Sequence, residues 1–223
     1  MHYLLGVLAL LTLWVLIFIW QKNLRREMLT ASLIVAPTAL SEPFFVPNYW
    51  SPDAIFGPKL SIEDFIFSFT IGGFTAVVYE LFMGGKLKHK RLCACFNGEI
   101  LHGFILMIGV AGIFLSYFLL RINFMYAVYL GIAIDIFLIV FTRPDLLKKV
   151  LYSGLIFGLV YFLFFSLFSL LIPGFIKHWN LAHLSGIFVL GVPLEEILWA
   201  LGAGGLLGPI YEYLLSIKLI ERR

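Results

Sequence analysis

Two short stretches place adjacent carboxyl groups at the head of an apolar run. "SIEDFIFSFTIGG" (61–73) carries Glu63 and Asp64, and "GVPLEEILWALGAGG" (191–205) carries Glu195 and Glu196. Neighbours on a helix point about 100° apart, so the two acids of one pair cannot face the same partner, whereas residues four apart share a face. Glu63 therefore stands over Phe67, and Glu195 over Trp199. Two carboxyls brought together in an apolar pocket cannot both ionise, which sets a dry proton donor beside an acceptor. Aromatic faces one turn deeper suit a developing cation. The chemistry expected is redox-neutral acid–base catalysis on a lipophilic substrate such as an alkene. The chain has no Gly-rich phosphate loop and no dinucleotide fingerprint. The competing reading is plain: acids at a helix N-terminus favour the dipole, and rings near an interface anchor it. Recurrence of the same spacing in two helices otherwise nearly free of charge favours function, because ionisable groups at membrane depth are expensive.

The elements that hold these acids are read from composition. The chain is 61% hydrophobic and only 13% charged, with a mean hydropathy of +1.00. Soluble domains are roughly 45–50% apolar and about 25% charged, so an integral membrane protein is expected. Spans of about 20 apolar residues fall near 3–20, 28–46, 62–83, 100–120, 124–141, 150–172 and 187–217. The first is a retained helix and not a signal peptide: its basic residues Lys22, Arg25 and Arg26 follow the apolar run, and no small-residue cleavage site is evident. Thirteen Lys and Arg lie on one side of this layout and three (Lys59, Arg121, Lys177) on the other. Under the positive-inside rule the N-terminus is outside the cytoplasmic membrane and the C-terminus is cytoplasmic. The net charge of +3 is too small and scattered to suggest nucleic acid. Cys93 and Cys95, with His89, lack a fourth metal ligand nearby and read as inert thiols, so no metal is expected.

The two acidic stretches belong to a repeat. Glu63 aligns with Glu195, Asp64 with Glu196, Phe67 with Trp199, Gly72-Gly73 with Gly204-Gly205, and Tyr79-Glu80 with Tyr211-Glu212, always at an offset of 132. "NYWSPDAIFG" (48–57) echoes "KHWNLAHLSGIFVLG" (178–192), and "NLRRE" (23–27) echoes "TRPDLLKK" (142–149). The expected fold is all-α and polytopic, with seven transmembrane helices. Two parallel three-helix repeats, 1–85 and 123–223, are joined by a basic loop and linker helix over 86–122. Both acidic pairs then lie at the outer ends of the third and seventh helices.

Other residues have weaker claims. Trp50, Trp179, Phe44, Phe45, Phe175 and Phe188 sit in long outer loops, either folded over the site or anchoring the interface. Gly73 and Gly205 permit close helix packing or leave a groove for a polyene. Glu42 lies near the outer side as a third acid. Tyr79-Glu80 and Tyr211-Glu212 lie too deep to join the first acids and suit helix packing or headgroup contact. Asp135 needs a partner, and His102 is a candidate only if their helices touch; both read as structural.

Taken together, "NYWSPDAIFG…SIEDFIF…YE" and "HW…GIFVLGVPLEEILWA…YEY" resemble the two repeated domains of the cofactor-free membrane lycopene cyclases. Those domains occur as separate small subunits in some bacteria and as a fused pair in archaea and fungi. The resemblance covers almost the whole chain, and "PLEEILW" with the trailing Tyr211-Glu212 is its strongest motif. It implies proton-triggered ring closure at the end of a linear carotenoid, an isomerisation with no cofactor. Carried over, the motif acids are Glu63, Asp64, Glu195 and Glu196, with Glu63 and Glu195 expected to face one another as donor and acceptor. Phe67, Trp199, Trp50, Trp179, Glu42, Gly73, Gly205, Tyr79 and Tyr211 are the expected substrate contacts. The copies differ at Ser61/Pro193 and Asp64/Glu196, which favours the second as the source of the acid. The expected partners are a linear carotenoid such as lycopene, membrane lipid and, as an option, a second copy of the chain in a homo-oligomer. Three other classes fit poorly. An intramembrane protease with Glu-Glu-x-x-x-Arg would need Arg where Ala200 stands, a prenyltransferase needs Asp-rich motifs, and a rhodopsin needs a buried lysine in its last helix. A non-enzymatic carotenoid- or lipid-binding protein with the same repeat is the alternative.

Overall fold

The computed structural model describes all residues except 1, 56, 58, 84–86, 92–95, 173 and 222–223, and only the backbone of 87–91, 96–99 and 218–221. Cys93 and Cys95, and the side chain of His89, lie outside what is described. The helices are α1 (His2–Trp20), α2 (Arg25–Val35), α3 (Glu42–Phe45), α4 (Ile62–Met83), α5 (Phe96–Leu119), α6 (Phe124–Thr142), α7 (Leu147–Leu171), α8 (Leu194–Leu207) and α9 (Ile210–Leu214). Among the described residues, six stretches are long and apolar enough to cross a membrane: His2–Trp20, Lys22–Phe45, Ile62–Met83, Ile100–Leu119, Phe124–Thr142 and Pro144–Leu171.

Five of the expected spans coincide closely with helices, and the second starts earlier, at Lys22, with α2 running through a 3₁₀ segment (Ala36–Ser41) into α3. The seventh expected span, 187–217, is not one helix. Its head folds as a hairpin in which β2 (Phe188–Val189) pairs with β3 (Val192–Pro193). Leu190 and Gly191, at φ 49° and 81°, make the turn, the left-handed pair that a two-residue hairpin requires. Its tail breaks between α8 and α9 at Gly208-Pro209, where proline offers no N–H to continue the ladder. An apolar count misses both features because neither changes mean hydropathy much.

The chain forms two compact units, residues 1–74 with 159–200, and residues 75–158 with 201–223. The first holds all four motif acids, and the second holds both Tyr-Glu pairs. Within the first unit, α4 packs closely on α1 and α2 at its glycines. A Cβ on Gly73 would lie 2.3 Å from both Ser32 Oγ and Trp14 Nε1, and one on Gly72 would lie 2.6 Å from Val35 Cβ. Trp14 Nε1 donates to Ser32 Oγ at 3.1 Å across that contact. Gly73 thus serves helix packing. Gly73→Ala is expected to break this hydrogen bond and destabilise the protein by about 1–3 kcal/mol through overpacking, read as a lower melting temperature in detergent.

In the second unit, Gly204 of α8 approaches α7 so closely that a Cβ would lie 2.7 Å from Ser153 O and 3.0 Å from Gly154 Cα. Small residues let membrane helices meet backbone to backbone in this way. Gly205 faces Ile136 and Val150, with 3.2 Å and 3.5 Å available to a Cβ. Antiparallel strands β1 (Leu87–Arg91) and β4 (Ile217–Glu221) form a short ribbon in the same unit.

Candidate active site

The first turn of α4 is built by its sequence. Ser61 precedes the helix, and its N–H and Oγ both donate to Asp64 Oδ2, at 2.7 Å and 3.0 Å. This is one half of a capping box, the third helical residue reaching back to the backbone N–H of the residue before the helix. The second copy has Pro193 at the matched position, with no N–H to offer. Glu196 therefore turns to other donors. Tyr49 Oη and Trp179 Nε1 donate to its Oε1 at 2.5 Å and 2.8 Å, and Tyr161 Oη donates to its Oε2 at 2.9 Å. All four side chains are buried. Asp64 completes its own set with Tyr3 Oη on Oδ1 at 2.7 Å. Both second acids of the pairs thus sit in cages of three donors.

The first acids of the pairs face elsewhere, as the 100° turn between neighbours requires. Glu63 Oε1 accepts the backbone N–H of Ile55 at 3.0 Å, and Glu195 Oε1 accepts that of Ser185 at 2.6 Å. Each ties its own preceding loop to the helix start. The expected apposition of Glu63 and Glu195 is not among the hydrogen bonds of the site.

Aromatic rings close the cluster. Phe67 and Trp199, matched in the repeat, stack at 6.0 Å with 26° between planes, and Tyr161 lies 5.5 Å from Trp199. Trp50 sits at the centre: its ring is 4.9 Å from Tyr3 and 5.5 Å from Trp179, and its Nε1 donates to Glu42 Oε1 at 2.5 Å. A backbone bridge joins Trp50 to Trp179. Phe175 is buried 5.1 Å from Trp179, whereas Phe188 is 41% exposed on β2. Phe44 and Phe45 are half-buried in α3 and not in a loop. Asp53, beyond Trp50, accepts the first backbone N–H groups of α1, from His2 and Tyr3 at 2.9 Å and 3.0 Å.

The second unit contains a separate buried charge cluster. Lys149 Nζ donates to Glu80 Oε1 and to Glu212 Oε1, both at 2.8 Å, so the two matched Tyr-Glu acids share one lysine. Beside it, Arg143 forms a paired contact with Asp145 at 2.8 Å and 2.9 Å and donates to Ile217 O at 2.8 Å. Tyr79 is buried 6.1 Å from Tyr152, and Tyr211 is buried as well. Asp135 finds its partner in the backbone N–H of Gly109 at 3.0 Å, on α5. A Cβ at Gly109 would lie 2.2 Å from that carboxyl, so the glycine opens the space. His102 is not that partner; it stacks on Tyr213 at 4.3 Å.

Sequence reasoning missed Tyr3, Tyr49, Tyr161 and Lys149. Tyr49 carried a faint signal in "NYW", and Tyr161 only that of a hydroxyl inside an apolar helix. Lys149 was counted with the basic turn, although a lysine within reach of two matched glutamates is a natural partner.

These features define the class first: an α-helical, multi-pass membrane protein with buried, hydrogen-bonded acids at its helix starts. Residues 122–214 then match the family model described as lycopene cyclase. The matched segment contains Glu195, Glu196, Trp199, Tyr161 and Trp179, and it supports an enzymatic role in carotenoid cyclisation. No curated protein and no solved structure matches the chain.

Proposed function

We propose that the chain closes a ring at the end of a linear carotenoid such as lycopene by acid–base catalysis, an isomerisation with no redox change. The observation that carries this reading is Glu196, buried in a cage of two phenols and an indole N–H inside the family-matched segment. An acid gives its proton to the terminal double bond, the neighbouring double bond attacks the cation to form the ring bond, and a base removes one proton to restore a double bond. The buried ring of Trp179 and the half-buried rings of Phe67, Trp199 and Trp50 supply faces for the cation and keep water from capturing it. Proton handling is proposed to involve Glu196, which faces the aromatic cluster, in place of Glu63 and Glu195, each of which ties one oxygen to loop backbone.

The proposed setting is the cytoplasmic membrane, with the N-terminus outside. Two parallel three-helix repeats and the linker helix α5 between them supply seven crossings, with α8 and α9 together making the last. The basic loops, the offset of 132 and the matched acids at both helix starts support it. Pigment analysis of a lycopene-accumulating bacterial host expressing the chain tests the function. Cyclic carotenoid is expected; linear pigment that copurifies with the folded protein and stays unconverted favours a binding protein instead.

A further inference from the structure

Ring closure needs one group that gives a proton and another that takes one. Asp64 and Glu196 are matched by the repeat and alike in their surroundings: each accepts three hydrogen bonds, one of them from an N–H that can only donate. Two carboxyls so filled with donors suit the accepting role, and neither stands out as the giver. Glu63 and Glu195, with no exposed surface and 2% exposed, are turned to the loops.

Glu42 differs from Asp64 and Glu196 in its surroundings and from Glu63 and Glu195 in its exposure. It is half-buried, so an oxygen can reach a substrate. It accepts one hydrogen bond, from Trp50 Nε1, which leaves its second oxygen outside the donor network of the described residues. Trp50 in turn packs on Tyr3 and Trp179, the donors to Asp64 and Glu196, so Glu42 borders both cages through one ring. Pro43 follows it and fixes the start of α3. The second copy has no counterpart: eight residues before Trp179, as Glu42 is before Trp50, stands Leu171. A single acid without a repeat partner is what a one-way proton transfer between two matched halves requires.

We propose that Glu42 is the proton donor of the cyclisation and Glu196 the acceptor, an assignment that rests on the cyclase reading above. The Glu42 O–H bond breaks as a C–H bond forms at the terminal alkene, and the neighbouring alkene's π electrons form the ring bond. A C–H bond of the cyclic cation then breaks, its electrons restore a double bond, and the proton passes to Glu196 Oε2. Return of one proton from Glu196 to Glu42 closes the cycle with no net change. Trp50 is the positioning residue, fixing one oxygen so that the other carries the proton toward the substrate.

Wild type, Glu42→Gln, Trp50→Phe and Glu63→Gln are expressed in the lycopene-accumulating host, with conversion measured per amount of folded protein and bound pigment. Glu42→Gln is expected to keep bound lycopene and lose at least about a hundredfold in conversion. Trp50→Phe, which keeps the ring but not the N–H, is expected to lose roughly tenfold, because mispositioning by about 1 Å carries penalties of this order and above. Unchanged conversion in Glu42→Gln overturns the assignment. Should Glu42→Gln fail to accumulate, Trp50→Phe decides: reduced conversion with pigment bound supports the assignment and unchanged conversion overturns it. A larger loss in Glu63→Gln than in Glu42→Gln also overturns it. If wild type leaves lycopene linear, the cyclase reading itself has failed.

Discussion

A Glu196→Gln chain is expected to fold, to bind linear carotenoid and to lose about 10²- to 10⁴-fold in ring closure, the range a positioned acid–base group supplies. The amide keeps the size of the carboxyl, and its oxygen still accepts from Tyr49 and Trp179, which donate at 2.5 Å and 2.8 Å in the wild type. Its NH₂ group replaces the oxygen that accepts from Tyr161 and has no lone pair for a proton. Binding and folding should therefore survive while proton transfer does not. The measurement is pigment composition by chromatography, normalised to folded protein. Cyclic product at the wild-type rate would remove Glu196 from the mechanism.

The largest expected effect on stability is at Lys149. Its side chain is 1% exposed, with Glu80 at 7% and Glu212 at 0%, each 2.8 Å away. Lys149→Met leaves two carboxyls buried together without their cation, and breaking a buried pair from one side costs about 3–5 kcal/mol. The variant should accumulate poorly and melt roughly 10 °C lower in detergent. Adding Glu80→Gln and Glu212→Gln to Lys149→Met should recover most of the loss, because the uncompensated charge is then gone. A Lys149→Met protein that melts like wild type would show that the triad does not hold this unit together.

Much of the candidate site was legible before any fold was known, for identifiable reasons. Charged residues are scarce in lipid-facing helices, so Glu63, Asp64, Glu195 and Glu196 stood out against an apolar background, and the offset of 132 made them recur. The 100° turn per residue, applied to the same four, already implied that the two acids of a pair face different ways. Which of them faces the aromatic cluster was a different kind of question. In both copies it is the second acid, and Pro193 changes only its partners: without an N–H there, Glu196 takes a third aromatic donor where Asp64 takes Ser61.

The amino-acid order alone determined a helical membrane protein, the approximate limits of five of its helices, the offset of 132 and the acids that recur at it. These depend on composition and on contacts within about a turn, which sequence spacing encodes directly. Only the tertiary structure decided that Tyr3, Tyr49, Tyr161 and Trp179 supply the hydroxyl and indole donors, that Lys149 joins Glu80 to Glu212, and that Gly73 packs on Ser32 and Trp14. Most of those partners lie tens of residues or more apart along the chain, and Tyr49 and Glu196 are separated by 147 positions. A tyrosine in an apolar helix reads the same whether it meets lipid or a carboxyl. What distinguishes the two is the buried acid that needs a donor, and only folding brings that acid within 3 Å of Tyr161.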